Sequence, residues 1–332
     1  MTETMTGIEG PSGLIVQSDK IILVTHIKPD GDALGSLLGL ADVLRSMGKS
    51  VLCYLEEEVP ELYRFLPGAV LIETSFSAVR NFLRRAGESV AVIALDCGDM
   101  NRLGRSGSSL RKIHPFAVID HHKGNTGFGD VNWIEPHRSS TGEMIVDLVD
   151  RLGVQLSPHA ATCLYTALVT DTGSFRYAST SSHTYRVAAS LVECGADPGK
   201  INEQLYDNYP LKRLLLMQQV LGTLRMFADD RIGVICVRRS MLEQTGASLS
   251  DTENFINLPR AVNTVQVAVF FKEGENVISV SLRSRGDCDV SMVAARFGGG
   301  GHALASGFRA DGISLDDLQN KVLRELLLQL DG

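Results

Sequence analysis

Three short apolar runs in this chain each stop on a side chain able to bind a metal ion. Ile21-Ile22-Leu23-Val24-Thr25 runs into His26, Val90-Ala91-Val92-Ile93-Ala94-Leu95 into Asp96, and Phe116-Ala117-Val118-Ile119 into Asp120. Continuous aliphatic runs of this length suit strands buried on both faces, as in a parallel sheet. Helix patterns alternate with them over Gly35–Met47 (stopped by Gly48), Ser77–Ala86, Thr141–Leu152 and Pro158–Thr170. Val51–Leu55 is a further strand and Ala69–Glu73 a weaker one. The alternation predicts an α/β domain with a parallel sheet. Ligands of such sheets collect beyond the carboxyl ends of the strands, where His26, Asp96 and Asp120 fall.

After a helical stretch from about Asp197 to Phe227, a second region begins. Arg231–Val237, Val265–Phe271 and Val277–Leu282 are strand-like, Val290–Phe297 is helical, and Leu315–Leu330 closes the chain as an amphipathic helix. This predicts a smaller α+β or α/β unit. The 332 residues, 44% of them hydrophobic, suffice for two such cores.

Each chemical signal has a bland alternative. His26-Ile27-Lys28-Pro29-Asp30-Gly31-Asp32 is a sharp loop that can aim an imidazole and two carboxylates at one point, or simply a polar turn. Asp96, ending a buried strand, is costly unless paired or metal-bound, yet it can also cap the next loop. In Asp120-His121-His122, adjacent rings point apart, so one can ligate while the other serves substrate. Asp171 in Thr170-Asp171-Thr172-Gly173 can ligate or end a helix. Together, His26, Asp30, Asp32, Asp96, His121 and Asp171 are too many ligands for one open ion but fit two, with Asp96 as the bridge. So many carboxylates would repel one another without cations. Further on, Gly298-Gly299-Gly300-Gly301-His302 can bring backbone amides to a phosphate, or be a flexible turn. No Gly-Lys-Ser/Thr follows it, and it lacks a GxGxxG context. Arg283 and Arg285 would share one face of a strand and suit phosphate, or line a solvated edge. His114, His137, His159 and His183 are taken as surface or satisfied, and Trp133 as core.

In this order and spacing, the His26…Asp30-Gly-Asp32 segment, Asp96, Asp120-His121-His122, Thr170-Asp171-Thr172-Gly173, Ser281-Leu282-Arg283-Ser284 and the Gly298–His302 tract resemble the DHH–DHHA1 phosphoesterases, and among them the bacterial oligoribonuclease/pAp phosphatase group (nanoRNases). The resemblance covers nearly the whole chain. It implies a DHH catalytic domain over 1–192 with helices on both faces of a parallel sheet, a helical connector over 193–228, and a DHHA1 substrate-binding domain over 229–332 across a cleft. It further implies two Mn²⁺ per chain, with Mg²⁺ or Co²⁺ as substitutes. His26, Asp30 and Asp96 would bind one ion; Asp32, Asp96, His121 and Asp171 the other. Substrate would meet Arg283, Arg285, Gly299, Gly300, Gly301 and His302. The expected reaction is attack on phosphorus by a two-metal-activated hydroxide. His122 would orient or protonate the leaving oxygen, and Asp120 would orient a histidine.

The implied substrates are short RNA oligonucleotides and nucleotide phosphates such as pAp. A net charge of -7 argues against gripping long nucleic acid. Six scattered cysteines without a CxxC pair, no long apolar run and a polar N-terminus from Met1 to Gly13 suggest a cytoplasmic protein without a membrane partner. Homodimerisation stays open. Two competing functions use the same residues: a cyclic- or linear-dinucleotide phosphodiesterase or pyrophosphatase with the same centre, and a nucleotide-binding regulatory module without catalysis. The intact ligand set argues against the latter.

Overall fold

The computed structural model describes residues 7–86, 90–286 and 288–330. The chain divides between Asn208 and Tyr209 into two compact units. The first six residues of the polar N-terminal stretch lie outside the described residues. Part of the remainder forms helix α1 (Glu9–Gln17), which buries Leu14 and Ile15.

The first unit continues with β1 (Lys20–Thr25), α2 (Gly31–Ser46), β2 (Ser50–Tyr54), α3 (Phe76–Ala86), β3 (Ala91–Leu95), α4 (Gly107–Leu110), β4 (Phe116–Asp120), β5 (Val131–Ile134), α5 (Thr141–Leu152), α6 (Pro158–Asp171), α7 (Ser182–Glu193) and α8 (Pro198–Tyr206). Its strands form one sheet in the order β2-β1-β3-β4-β5, every pairing parallel. Successive strand residues serve opposite faces. Ile21, Leu23, Ile93 and Ile119 pack with α2, α5 and α6, whereas Ile22, Val24, Val92 and Val118 pack with Val79 of α3 and Leu110 of α4. This is why the runs are apolar throughout rather than alternating. The order reverses between β1 and β3, and a crevice opens at such a switch point. His26 follows one of these strands and Asp96 the other.

Helices α2 and α6 lie unusually close. Gly31, Gly35 and Gly39 recur every four residues along α2. A Cβ on Gly35 would stand 2.3 Å from the Cys163 carbonyl oxygen, and one on Gly31 would stand 2.5 Å from Thr170 side-chain atoms. This contact brings the start of α2, with Asp30 and Asp32, against the end of α6, with Asp171.

Three expectations for this unit need correction. Ala69–Glu73 is not a strand: Gly68, in the left-handed region (φ 85°), opens a 3-10 turn over Ala69–Leu71, and only Glu73 bridges to Tyr54. Helix α2 starts at Gly31 rather than Gly35, because Asp30 caps it by accepting from the Ala33 amide (3.1 Å). Strand β5 was not anticipated, since four residues interrupted by Asn132 leave too little pattern.

The second unit comprises α9 (Leu211–Leu221), β6 (Arg225–Phe227), β7 (Ile232–Val237), α10 (Arg239–Thr245), α11 (Asn257–Arg260), β8 (Val267–Glu273), β9 (Ile278–Ser284), α12 (Val290–Arg296), β10 (Gly300–His302), β11 (Ala305–Ala310) and α13 (Leu315–Leu330). Its mixed sheet runs β10-β11-β9-β8-β7-β6, with only β7 and β8 parallel. Helices α12 and α13 cover one face and α9 the other. The stretch 193–228 is therefore no separate connector. Ile201 and Leu205 of α8 join the first core, while Leu216 and Val220 of α9 join the second. All six cysteines are unpaired.

Gly35→Ala should lower stability by about 1–3 kcal/mol, overriding the gain in helix propensity of roughly 1 kcal/mol. Denaturant unfolding monitored by circular dichroism checks this. An unchanged or raised midpoint would mean that the α2–α6 contact is slack.

Candidate metal centre

Asp96 organises the centre. It follows β3 in the left-handed backbone region (φ 53°), a strained conformation for a non-glycine residue, and is 2% exposed. Its amide donates to the Ile119 carbonyl (3.0 Å), holding it in line with the sheet. Its two carboxylate oxygens face different groups. Oδ2 lies 3.6 Å from His26 Nε2, which is itself 3.9 Å from Asp30 Oδ1. Oδ1 lies 3.6 Å from His121 Nε2, and that nitrogen is also 3.6 Å from Asp32 Oδ2 and 3.3 Å from Asp171 Oδ2. The ligand atoms of His26, Asp30 and Asp96 fall within 4.8 Å of one another, as do those of Asp32, His121 and Asp171. All six residues singled out in the sequence thus converge, in two groups sharing Asp96.

The histidines are set by groups that sequence reasoning missed. His121 Nδ1 lies 3.2 Å from the Arg138 carbonyl, which can only accept, so the proton sits on Nδ1 and Nε2 keeps its lone pair. His26 Nδ1 lies 2.8 Å from the Ile27 carbonyl and 3.1 Å from Arg102 Nη2. The nearer carbonyl likewise leaves Nε2 as the ligand atom. Asp32 is held at the N-terminus of α5, where Oδ2 accepts from the Thr141 amide (2.7 Å) and Oδ1 from the Gly142 amide (2.9 Å). The Thr141 hydroxyl donates to Asp96 Oδ1 (3.1 Å). The available signal was Ser140-Thr141-Gly142-Glu143, a helix-start pattern whose free amides attract a carboxylate.

His122 is placed differently. Its Nδ1 approaches Asp96 Oδ1 (3.6 Å) but is engaged by fully buried Asp120 at 2.7 Å, so Asp120 orients this ring rather than facing either group. Asn125 in turn donates to Asp120 Oδ2 (2.6 Å).

Burial and neighbouring charges set the ionisation of these groups. Burial, then the charges of Asp96, Asp171 and Asp30, push Asp32 far above the usual carboxylate range. Burial also lifts Asp171 to about 7, with Asp96 and Asp30 adding to the rise against the pull of His121. Burial works against ionised Asp96, yet the His26, His121 and His122 rings hold it below the ordinary value. Burial opposes charge on His122 as well, but the Asp120 hydrogen bond and the Asp96 and Asp120 carboxylates raise it to about 9. Buried carboxylates crowded together, with the Nε2 atoms of His26 and His121 turned toward them, fit divalent cations.

In the second unit, Arg283, Ala305 and His302 pair in one cross-strand row of β9, β11 and β10, which puts Arg283 and His302 on the same face. Strand β9 ends at Ser284, and the Arg285 amide donates to the Gln266 carbonyl (2.7 Å), the position next to the Val267–Ser284 pair. Arg285 lines a cavity of about 430 Å³ with Gln266, Cys288 and Gln329. The glycine tract is part strand rather than a loop. A Cβ on Gly299 would stand 2.3 Å from the Gly307 carbonyl oxygen, and Gly301 adopts φ 140°. Both are therefore demanded by the hairpin itself. Exposed Gly300 has nothing within 4 Å of where a Cβ would be.

Residues 20–168 match the DHH family, N-terminal domain, and residues 233–327 the DHHA1 domain. A Thermus thermophilus protein named bifunctional oligoribonuclease and PAP phosphatase NrnA is 33% identical over 99% of this chain and 93% of its own length. The chain belongs to the DHH–DHHA1 family. A Bacillus subtilis protein of the same name is 29% identical, covering 87% of this chain and 88% of its own. Among solved structures, an exopolyphosphatase-related protein from Bacteroides fragilis superposes with a TM-score of 0.89 at 28% identity, covering 97% of each chain. Family membership makes the two units the DHH and DHHA1 domains and the protein a hydrolase. No helix among the described residues is long and apolar enough to cross a membrane.

A cation at this site competes with the proton on Asp171. Affinity for Mn²⁺ should therefore fall as pH drops through about 7. Titration of metal-free protein at pH 6, 7 and 8 tests this; equal affinities across that window would contradict it.

Proposed function

We propose that this chain is a two-metal phosphoesterase that hydrolyses short oligoribonucleotides to mononucleotides and converts pAp to AMP. The observation that carries the reading is Asp96, its two oxygens shared between two His/Asp groups at a sheet switch point. The substrate class is supported by the names of the relatives aligned over most of the chain. His26, Asp30 and Asp96 would hold one cation, and Asp32, Asp96, His121 and Asp171 the other. Mixed carboxylate and imidazole donors suit Mn²⁺, with Mg²⁺ or Co²⁺ as substitutes. Such a pair lowers the pKa of water and offsets charge on a phosphoryl group.

The chain's own groups do the rest. Asp120 fixes His122 through Nδ1, so Nε2 is the atom that would deliver a proton to the leaving oxygen. Arg283 and His302, in one row, and the glycine tract at Gly300 would bind substrate phosphate, with Gly299 and Gly301 shaping the hairpin. Arg285 off the row is a weaker candidate for that contact. A cytoplasmic site of action is part of the same proposal.

Metal analysis should find about two ions per chain. Asp96→Ala should lose turnover while unfolding cooperatively; full activity in that variant, or activity that survives exhaustive chelation, would sink the proposal. A panel of dinucleotides, pAp, pyrophosphate and cyclic dinucleotides with Mn²⁺ separates the substrate classes. The expected result is cleavage of RNA trimers well ahead of 24-mers, and equal rates per molecule would point to a processive nuclease. Arg283→Ala should chiefly raise KM, because the phosphate contact is shared by ground and transition states. Wild-type KM on every substrate would remove Arg283 from the site.

A further inference from the structure

Glu143 takes no part in the chemistry described above, yet it is 1% exposed and charged groups surround it. It sits in the first turn of α5, three residues after the cap Ser140. In a Ser-x-x-Glu capping box the glutamate reaches back to the amide of the capping residue. Here it reaches one residue further, and Oε2 accepts from both the amide (2.7 Å) and the hydroxyl of Ser139. Its other oxygen faces Arg138 Nη1 and His183 Nε2, each at 3.6 Å. Asp147, one turn along α5, joins the same cations: Oδ2 lies 2.7 Å from Arg138 Nη2 and Oδ1 lies 3.1 Å from His183 Nε2. The segment from Arg138 into the start of α5 is thus tied down by two carboxylates and, through His183, to α7.

That short segment touches three of the candidate ligands. The Arg138 carbonyl sets the tautomer of His121. The Thr141 and Gly142 amides hold both oxygens of Asp32. The Thr141 hydroxyl holds Asp96 Oδ1. Every one of these contacts serves the group built from Asp32, Asp96 Oδ1, His121 and Asp171. Among the described contacts of the segment, none reaches His26, Asp30 or Asp96 Oδ2.

We infer that Glu143 is a positioning residue for one of the two cation sites: by anchoring Ser139 and Arg138 it presets the Asp32–His121–Asp171 group and leaves the His26–Asp30 group untouched. The inference rests on the two-cation reading of the centre but not on the identity of the substrate. A helix cap alone would explain a stabilising role; it would not explain selectivity between the two sites. The polar partners of metal ligands commonly change metal affinity by about 10–100-fold when removed, and Glu143 acts one step further out.

The test is a Mn²⁺ titration of metal-free, full-length protein, followed by calorimetry and by the Mn²⁺ electron paramagnetic resonance signal. Glu143→Gln keeps the shape and an acceptor for Ser139 but removes the charge facing Arg138 and His183. The expected result is one site weakened about tenfold or more and the other unchanged, with turnover recovering at high Mn²⁺. Arg138→Met, at a side chain 28% exposed, should shift the same site in the same direction even if Glu143→Gln folds poorly. Two wild-type sites in both variants, or equal weakening of both sites, would overturn the inference while leaving the metal centre standing. A wild-type protein that binds no Mn²⁺ would overturn the proposed function and this inference together.

Discussion

Four carboxylates, Asp30, Asp32, Asp96 and Asp171, converge where the first domain's sheet reverses its strand order, and the fold around them exists to make that convergence tolerable. Like charges in a buried site cannot all ionise without a counter-charge. The carboxyls answer in two ways: burial and mutual repulsion raise Asp32 and Asp171, and three imidazoles crowd Asp96 and lower it. Neither answer needs a rigid shape, but binding two cations does. The precision has to come from outside the carboxylates, and it comes from backbone. Asp96 sits in a left-handed conformation at a strand end, Asp32 lies on helix amides, and main-chain carbonyls orient His26 and His121.

Packing delivers these groups to one place. The glycine stripe of α2 allows α6 to approach until their backbones nearly touch. Gly142 at the start of α5 makes the same allowance, since its Cβ would stand 2.5 Å from the Ala167 methyl. Three helix ends therefore meet beside three strand ends. Ordinary aliphatic side chains at those glycines would separate the helix axes by a side-chain layer and draw Asp171 away from Asp32.

The strand ends were legible from the sequence because buried parallel strands carry an unmistakable apolar run and stop abruptly at a polar side chain. His26, Asp96 and Asp120 stood out for that reason. The two-group arrangement was legible only through ligand counting and family resemblance, since no spacing rule says which oxygen of Asp96 faces which histidine. What stayed hidden was main-chain chemistry. The Arg138 carbonyl and the Thr141 amide act through atoms that every residue possesses, so side-chain identity does not betray them. In the glycine tract, close strand approach at Gly299 and a positive φ at Gly301 already require glycine, a demand that the sequence does not separate from phosphate contact.

Charge counting links the centre to the kind of substrate it suits. Two divalent cations carry four positive charges and would balance the four carboxylates, leaving the loaded centre near neutrality. A neutral centre polarises a phosphoryl group held against it but exerts little long-range pull on a polyanion. With a net charge of -7, the chain supplies no general attraction either. On the proposed reading, affinity for a phosphate ester would come from a few donors, and Arg283 with His302 in one row would be such a set. A small number of contacts would saturate on one or two phosphates, and in a net acidic chain each added nucleotide would gain little further attraction. The proposed preference for short anionic substrates is consistent with this balance as readily as with any steric stop.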